Sequence, residues 1–200
     1  GVAFRDETKV QDIVHTGWRE LMDLSKVPFA YSNLTEFKNR IIYYESSRGC
    51  PFSCSYCLSS IDKKLRFRDI ELVKRELQFF IDNKVPQVKF VDRTFNCKHD
   101  HAMEIWRYIT EHDNGITNFH FEISADLLRA EELALMKNMR PGLIQLEIGV
   151  QSTNPQTIKA IRRTMDFEKL KGIVEQIHSF GNIHQHLDLI AGLPYEDFES

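Results

Sequence analysis

The sequence lacks the features that mark membrane, secreted and nucleic-acid-binding proteins. Its apolar runs are far shorter than the roughly 20 residues of a membrane-spanning helix, and no secretory signal opens the chain. Its 26 Lys and Arg against 29 Asp and Glu give a net charge of -3, which argues against nucleic-acid binding through bulk charge while leaving room for a local basic patch. We therefore expect a protein with no membrane contact and no nucleic-acid signal.

Cysteine is also scarce, and an initiator methionine is missing. Four cysteines without a secretory signal indicate a reducing compartment, so a cytoplasmic location is expected. A disulfide among the three clustered cysteines would leave one thiol over, unless Cys97 took it. Because the chain starts with "GVAFRDETKV" and stops at "AGLPYEDFES", we expect it to be a segment of a longer protein.

What the sequence does contain is a regular alternation of short apolar runs and longer helical patterns. The predicted strands are Arg40–Ser46, Gln87–Asp92, Phe119–Ser124, Leu143–Val150 and His186–Gly192. The predicted helices are Asp69–Asn83, His99–His112, Arg129–Met139, Pro155–Arg163 and Phe167–Phe180, with Asp69 as an N-cap and Gly181 just after the last helix. This order predicts an α/β fold with a parallel sheet and right-handed crossovers.

Three of the predicted strands alternate polar and apolar residues, which helps to separate a barrel from an open sheet. The polar faces carry His120, Glu122 and Ser124 on the third strand, Gln145 and Glu147 on the fourth, and His186 and Asp188 on the fifth. An open sheet covered by helices on both faces should be apolar on both, whereas a barrel has helices only outside. Closed eight-stranded barrels usually fill their interior with Val, Ile and Leu. The pattern favours an incompletely closed barrel with a polar lumen, with ordinary ion pairs across a sheet as the alternative.

Chemically distinctive residues follow the carboxyl ends of the predicted strands, the end where barrel enzymes build their sites. They are the cysteine trio after the first strand, Asp92, Arg93 and Asn96 after the second, Glu122 and Ser124 at the end of the third, Glu147, Gln151 and Ser152 at the fourth, and Gly192, Leu193 and Pro194 after the fifth. Their common location indicates one shared site.

Three cysteines, Cys50, Cys54 and Cys57, lie within eight residues as C-x3-C-x2-C. Their loop is rich in Ser and Gly, which makes a helix unfavourable there, and thiolate trios bind soft metals. A structural zinc site needs four ligands, and the nearest further candidates are Cys97, His99 and His101, a whole βα unit away. A four-iron cluster usually takes four thiolates, so three would leave one iron open. An enzyme with such a cluster, a non-catalytic Cys3His zinc module and an electron-transfer iron–sulfur domain are the alternatives.

The trio, with Tyr56 just before the last cysteine, resembles the C-x3-C-x2-aromatic-C pattern of the radical S-adenosylmethionine (SAM) superfamily. The segments "YYESSRGCPFSCSYC", "VKFVDRTFN", "LEIGVQS" and "DLIAGLP" resemble its cobalamin-associated branch, which is anaerobic cyclase- or methylthiotransferase-like. "SKVPFAY" resembles the interdomain linker of that branch. The resemblance covers about Val27 to the C-terminus. It implies a partial TIM-like (β/α)6 barrel, shortened here to about five βα units. Residues 1–38 would be a lead-in or linker and residues 39–200 a C-terminally truncated core.

The chemistry implied by the resemblance starts at the trio. The thiolates of Cys50, Cys54 and Cys57 would hold a [4Fe–4S] cluster, and its open iron would bind SAM. An electron from a flavodoxin- or ferredoxin-type donor would cleave SAM to methionine and a 5′-deoxyadenosyl radical, which abstracts hydrogen from an unknown, small-molecule substrate. A cobalamin-binding domain upstream would supply a further cofactor. No catalytic residue beyond the cluster ligands is assigned.

The resemblance also implies contacts to SAM. Tyr56 would lie near the adenine, supported by Leu193. Asp92 stands where the family places a Gly-Gly-Glu segment that holds the amino group, and Arg163 matches a residue that pairs with the carboxylate. The remaining expected contacts are Glu122 and Ser124 from the third strand, and Glu147, Gln151 and Ser152 in the ribose region. For any single acid the alternative is a surface ion pair, and for Arg163 a solvated helix residue. Cys97 has no counterpart among the ligands and is expected to be a plain thiol.

Overall fold

The computed structural model of the protein describes residues 2–5, 13–38, 40–61 and 63–197. Three of the expected domain bounds, residues 1, 39 and 200, fall at positions beyond this description. The expected start of the core, at residue 39, lies outside the described residues, as do positions 198–200 at its expected end. Among the residues that are described, none of the helices has the length and apolar character needed to cross a bilayer.

The centre of the fold is a five-stranded parallel sheet whose strands follow one another in chain order. Its strands are β1 (Ile42–Tyr44), β2 (Gln87–Phe90), β3 (Asn118–Ile123), β4 (Ile144–Gln151) and β5 (His184–Leu189). The helices that follow are α1 (Ile70–Asp82), α2 (His99–Glu111), α3 (Ala130–Lys137), α4 (Pro155–Ala160) and α5 (Phe167–Phe180). Sequential order with right-handed crossovers puts the helices on one side of the sheet. Contacts of α2 with α1 and α3, and of α3 with α5, agree with this single layer. The predicted α/β, partial TIM-like fold is confirmed.

The apolar face of the sheet and the helix layer enclose the core. Along β4, buried residues alternate with half-buried ones, so Ile144, Leu146 and Ile148 face the helices while Glu147 faces the other side. The rings of Phe90 and Phe121 lie 4.5 Å apart in the same core. Burying each such side chain contributes roughly 1.5–3 kcal/mol to folding. The polar face is therefore left as the inner wall of an incomplete barrel, as the alternation predicts.

The last strand differs from the prediction in both position and burial. The predicted His186–Gly192 is observed as His184–Leu189, because the strand pairs with β4 from Gln145 onward. Its outward residues are exposed, Leu187 by 49% and Leu189 by 69%. Within the described residues this strand is an edge of the sheet, so its apolar residues are left uncovered.

The lead-in is more than a linker. The short strands Ala3–Arg5 and Ile13–His15 pair antiparallel with each other. From Leu24 onward the lead-in packs on the barrel: Leu24 is buried, and Phe29 stacks edge-on against Phe79 of α1 with centroids 5.3 Å apart. The expected linker at residues 1–38 therefore includes a segment, residues 24–37, that is part of the folded unit.

A buried ion pair holds this segment in place. The Arg68 guanidinium pairs with Glu76 of α1 at 2.5 Å and donates to the backbone carbonyls of Leu24 and Val27. Tyr44 of β1 donates to the same carboxylate at 2.6 Å. Because both charged groups are satisfied by several partners, this buried pair fixes the path of the lead-in across the outside of the barrel.

Candidate functional site

The cysteine loop, defined here as residues 49–61, starts at the carboxyl end of the sheet. A short antiparallel ribbon of Ser47–Arg48 and Arg66–Phe67 closes its base. Gly49 has a φ of 97°, a left-handed conformation that glycine adopts without strain. The cysteines of the loop carry free thiols; Cys50 and Cys54 are buried, whereas Cys57 is partly exposed. The loop thus presents its thiols at the end of the barrel where a site is expected.

A backbone hydrogen bond joins the middle of this loop to the segment that follows α4. The Ser55 N–H donates to the carbonyl of Ile161, just after α4, at 2.8 Å. Within the loop, the Cys57 N–H donates to the carbonyl of Cys54 at 3.1 Å. The loop is therefore fixed against the α4–α5 connection, which also carries Arg163.

Asp92 fastens the start of the cysteine loop to the end of β2. The carboxylate is fully buried and accepts hydrogen bonds from the Ser46 N–H at 3.0 Å, from the Ser46 hydroxyl at 2.8 Å and from the Ser47 hydroxyl. Burial raises the pKa of Asp92 to about 6, although the bonds from Ser47 and Ser46 act to lower it. Asp92 does not line the cavity described below, so its expected contact with the SAM amino group stays a prediction.

The residues after β2, which we call the β2 turn (Asp92–Asn96), also reach the end of β3. The Asn96 side chain donates to the Ser124 carbonyl at 2.8 Å and accepts from the Ser124 N–H at 3.0 Å. Between these anchors, the Thr94 hydroxyl lies 3.7 Å from the sulfur of Cys50. The β2 turn thus joins the cysteine loop to the neighbouring strand ends.

A cavity of about 200 Å³ opens next to the cysteine loop at the carboxyl ends of the strands. Of the residues expected to contact SAM it brings together five: Glu122, Ser124, Glu147, Gln151 and Arg163. Its further lining comes from the cysteine loop, the ends of β2 to β5 and the segment after α4: Phe52, Arg93, Thr94, Ile123, Gly149, Thr164 and Asp188. The predicted convergence of strand ends on one polar site is therefore observed.

Charged side chains on the inner wall of the barrel form one network. Glu147 accepts from Lys89 of β2 at 2.8 Å, and His120 Nε2 lies 2.9 Å from the same carboxylate. Glu122 Oε1 lies 3.8 Å from Lys89 Nζ. Burial and the nearby Glu147 charge raise the pKa of Glu122. Burial also acts to raise the pKa of Glu147, but the hydrogen bond and charge of Lys89 hold it below its usual value. The pKa values of these two glutamates in the cavity lining are therefore shifted in opposite directions, that of Glu122 upward and that of Glu147 downward.

Arg163 bridges β4 and the cysteine loop. Its guanidinium donates to the Gly149 carbonyl and reaches the Tyr56 hydroxyl at 3.5 Å. Its Nε is buried and has no acceptor among the residues that the structure describes. A buried donor without a partner is costly, and a carboxylate is the acceptor that a guanidinium fork binds best. The group thus fits the expected contact to the carboxylate of SAM.

The other predicted contacts lie around the cavity rather than in its lining. Tyr56 lines a second, open cavity of about 680 Å³ beside Cys57 and contacts Arg163. Ser152 is buried, donates to Glu196 and accepts from the Asn154 N–H at 3.0 Å. Leu193 is buried after β5. The ribose contact of Ser152 and the adenine contacts of Tyr56 and Leu193 stay predictions.

The donor set suits a cluster better than a single metal ion. Within the described ranges, no three His, Cys, Asp or Glu side chains converge closely enough to hold one ion. The expected fourth zinc ligands are engaged elsewhere, His99 with Glu131 at 2.6 Å and His101 with the Ser46 hydroxyl at 3.0 Å. Burial, and then the charge of Cys50, raises the pKa of Cys97 to about 11. In a four-iron cluster each thiolate binds a different iron, so the cysteines need not meet at one point. The zinc alternative gains no support.

Sequence reasoning missed Thr94, Lys89 and Phe52. Thr94 offers no periodic signal, because it shares the parity of the buried Val88 and Phe90 rather than that of the inward Lys89. Lys89 lies on the inner face of β2, in register with His120. Phe52 offers no signal, since its position depends on the path of an irregular loop.

Comparison with known proteins identifies the family to which the chain belongs. Residues 44–200 match the model of the radical SAM superfamily. The 2-(S-pantetheinyl)-carbapenam-3-carboxylate methyltransferase of Streptantibioticus cattleyicolor is 26% identical over 161 residues, which cover 76% of this chain and 23% of that protein. The cobalamin-dependent radical SAM methyltransferase TokK of Streptomyces tokunonensis is 27% identical over 165 residues, or 78% of this chain and 24% of that protein. The chain thus spans about a quarter of the length of these relatives.

Solved structures show the same fold. The cobalamin-dependent radical enzyme OxsB with aqua-cobalamin bound aligns with a TM-score of 0.74 at 19% identity, covering 94% of this chain and 29% of that chain. The methyltransferase TsrM of Kitasatospora setae with cobalamin and a [4Fe–4S] cluster bound aligns with a TM-score of 0.67 at 18% identity. The alignment covers 80% of this chain and 32% of that chain. The matched residues include the cysteine loop, the β2 turn and every strand end around the cavity. The chain belongs to the radical SAM superfamily, a family of enzymes whose cofactors are a [4Fe–4S] cluster and SAM.

Proposed function

We propose that this chain is the core of a cobalamin-associated radical SAM enzyme in which Cys50, Cys54 and Cys57 hold the [4Fe–4S] cluster. The observation that carries the proposal is the position of the cysteine loop: the loop contributes Phe52 to a polar cavity, and its Cys50 sulfur lies 3.7 Å from the hydroxyl of Thr94, which also lines that cavity. When bound, the cluster would supply the electron that cleaves SAM to methionine and a 5′-deoxyadenosyl radical, which takes hydrogen from the substrate.

The residues around the cavity would orient SAM. Arg163 offers the unpartnered Nε and a fork of donors to the carboxylate. Glu147, kept ionised beside Lys89, and Glu122 offer acceptors for the amino and ribose hydroxyl groups. Ser124 and Gln151 add polar groups at the rim. The glutamates, Ser124 and Gln151 are held at strand ends and Arg163 is held by its bond to the Gly149 carbonyl, so they can position the cofactor with little rearrangement.

The reaction class that we propose is methyl transfer to a small molecule. This rests on relatives that are named methyltransferases and on neighbours solved with cobalamin, not on a residue of this chain. Cobalamin would bind through an upstream domain, as the branch resemblance implies. A flavodoxin- or ferredoxin-type electron donor and a cytoplasmic location belong to the same proposal.

The proposal is tested by anaerobic reconstitution with iron and sulfide, followed by electron paramagnetic resonance with and without SAM. We expect a cluster signal that shifts when SAM is added. Cys54→Ala should abolish cluster binding because it removes a ligand, whereas Cys97→Ala should retain it because that thiol is not a ligand.

Two results would contradict the proposal. One is tight stoichiometric zinc with no cluster in the protein after reconstitution. The other is an equal loss of cluster in Cys54→Ala and Cys97→Ala, since that would show the ligand set to be wrong.

A further inference from the structure

Thr94 is held in place from both sides by the β2 turn. Two residues before it, Asp92 binds the start of the cysteine loop; two residues after it, Asn96 binds the backbone of Ser124 on both its N–H and its carbonyl. Thr94 itself is 8% exposed and borders the cavity. Because the backbone on each side is anchored, the position of the Thr94 side chain is set by the fold.

The Thr94 hydroxyl lies between two acceptors. Its oxygen is 3.7 Å from the sulfur of Cys50 and 2.8 Å from the carbonyl of Arg93. A hydroxyl has one proton to donate and can also accept. With Cys50 as a thiol, the S–H can donate to Thr94 while Thr94 donates to Arg93. With Cys50 as a thiolate, the charged sulfur competes for the hydroxyl proton, since hydrogen bonds to ionised acceptors are the stronger ones.

We propose that Thr94 is a positioning residue that donates a hydrogen bond to the Cys50 thiolate and raises the reduction potential of the cluster. The inference rests on the proposed function, because it requires Cys50 to be a cluster ligand. Reduction adds negative charge to the cluster and its thiolates. Hydrogen bonds to ligand sulfurs are among the factors that set iron–sulfur potentials, and a donor stabilises the more negative form. Losing the donor should therefore make the cluster harder to reduce.

The test is a redox titration of the reconstituted protein without SAM, followed by electron paramagnetic resonance. Thr94→Val keeps the shape of the side chain but removes the hydroxyl, and Thr94→Ser restores it. We expect Thr94→Val to shift the one-electron equilibrium about threefold to tenfold toward the oxidised cluster, which is about 30–59 mV. Thr94→Ser should stay near the wild-type value.

Thr110→Val is the matched control. Its hydroxyl donates to the Trp106 carbonyl at 2.7 Å on α2, away from the cavity lining. Thr110→Val also removes a threonine hydroxyl, but one that lies away from the cavity, so the reduction potential of the cluster in this variant should match that of the wild type. A shift in Thr110→Val as large as that in Thr94→Val would mean a general effect of the substitution and would overturn the inference.

The outcomes separate this inference from the proposed function. A wild-type potential in Thr94→Val with full cluster content overturns the role of Thr94 and leaves the proposed function standing. A wild-type protein that binds no cluster contradicts both. If Thr94→Val does not fold or load, Thr94→Ala is titrated instead, with the same expected lowering and the same contradicting result.

Discussion

At the scale of single residues, the site depends on buried polar groups that are already hydrogen-bonded to one another within the protein. Asp92 is the clearest case. Its position in the chain suggests a contact with SAM, yet its oxygens are occupied by Ser46 and Ser47. A buried carboxylate that accepts three hydrogen bonds is expensive to bury and costly to leave unsatisfied. Its described contacts therefore give it a structural role in holding the cysteine loop.

The raised pKa of Asp92 makes a prediction about stability and pH. The folded-state pKa of about 6 lies above the ordinary value of 3.8, so the folded protein binds more protons between these values. The contribution of Asp92 to the free energy of unfolding is then complete below about pH 4 and is lost as the pH rises through 6. Denaturant unfolding of the wild type and of Asp92→Asn should show the wild type losing stability relative to the variant between about pH 4 and pH 6.

Comparing the wild type with Asp92→Asn at each pH cancels the contributions that other titrating groups make to the free energy of unfolding. His101, whose pKa burial lowers to about 4, has the opposite dependence but is present in both proteins. A stability difference between wild type and Asp92→Asn that stays constant from pH 4 to pH 7 would contradict the prediction.

At the scale of elements, the end of β4 shapes the cavity through its backbone. The pairing of β4 with β5 is irregular between Gly149 and Gln151, and Gln151 has a φ of 71°. A Cβ at Gly149 would collide with the Gln151 side-chain amide and lie 3.6 Å from an Arg163 nitrogen. The absence of a side chain at Gly149 is thus what allows the Gln151 amide to reach its position in the cavity lining.

We therefore expect Gly149→Ala to weaken SAM binding by about tenfold, roughly 1.4 kcal/mol, by displacing the Gln151 amide. Equilibrium dialysis of SAM against the reconstituted protein measures this. Gly172→Ala is the control, since a Cβ there on α5 meets no atom within 4 Å and should leave SAM binding unchanged. Equal SAM affinity in Gly149→Ala and the wild type would contradict the expected contact between SAM and the Gln151 amide.

An element could be predicted from the sequence to the extent that neighbouring residues in the chain determine its bounds. Helix α5 lies where its period and caps place it, from Phe167 to Phe180, with Gly181 at a φ of 70°. The strand β5 starts two residues before its predicted position, because its bounds are set by pairing with β4. The partners of Asp92 lie about 46 residues earlier in the chain, and no local pattern shows such a pairing. The cysteines and strand ends could be found, but the bonds that join them could not.

At the scale of the whole molecule, the folded unit begins earlier than the family match. The match starts at residue 44, whereas Leu24 is already buried and Arg68 holds its carbonyl and that of Val27. Aromatic contacts of Phe29 and Tyr31 with Phe80 extend the barrel core outward. This segment covers the outer face of α1 and β1.

We expect Leu24→Ala to lower the free energy of unfolding by about 2–3 kcal/mol, because it removes a buried side chain from a packed interface. Leu21→Ala, in the same lead-in but at an exposed residue, should change it by less than about 0.5 kcal/mol. Denaturant unfolding with two spectroscopic probes measures both. If Leu24→Ala is as mild as Leu21→Ala, the lead-in does not belong to the cooperative unit.

The contacts that fix the cysteine loop also set an order of assembly. Ser46 and Asp92 are 46 residues apart in the chain, and Tyr56 and Arg163 are 107 apart. Contacts between distant parts of a chain tend to form late in folding, because the loops that they close must first lose their entropy. We therefore expect the thiols to reach their final arrangement only after β2, β4 and α4 are in place. If the cysteines hold the cluster as we propose, we expect cluster insertion to follow folding as a separate maturation step.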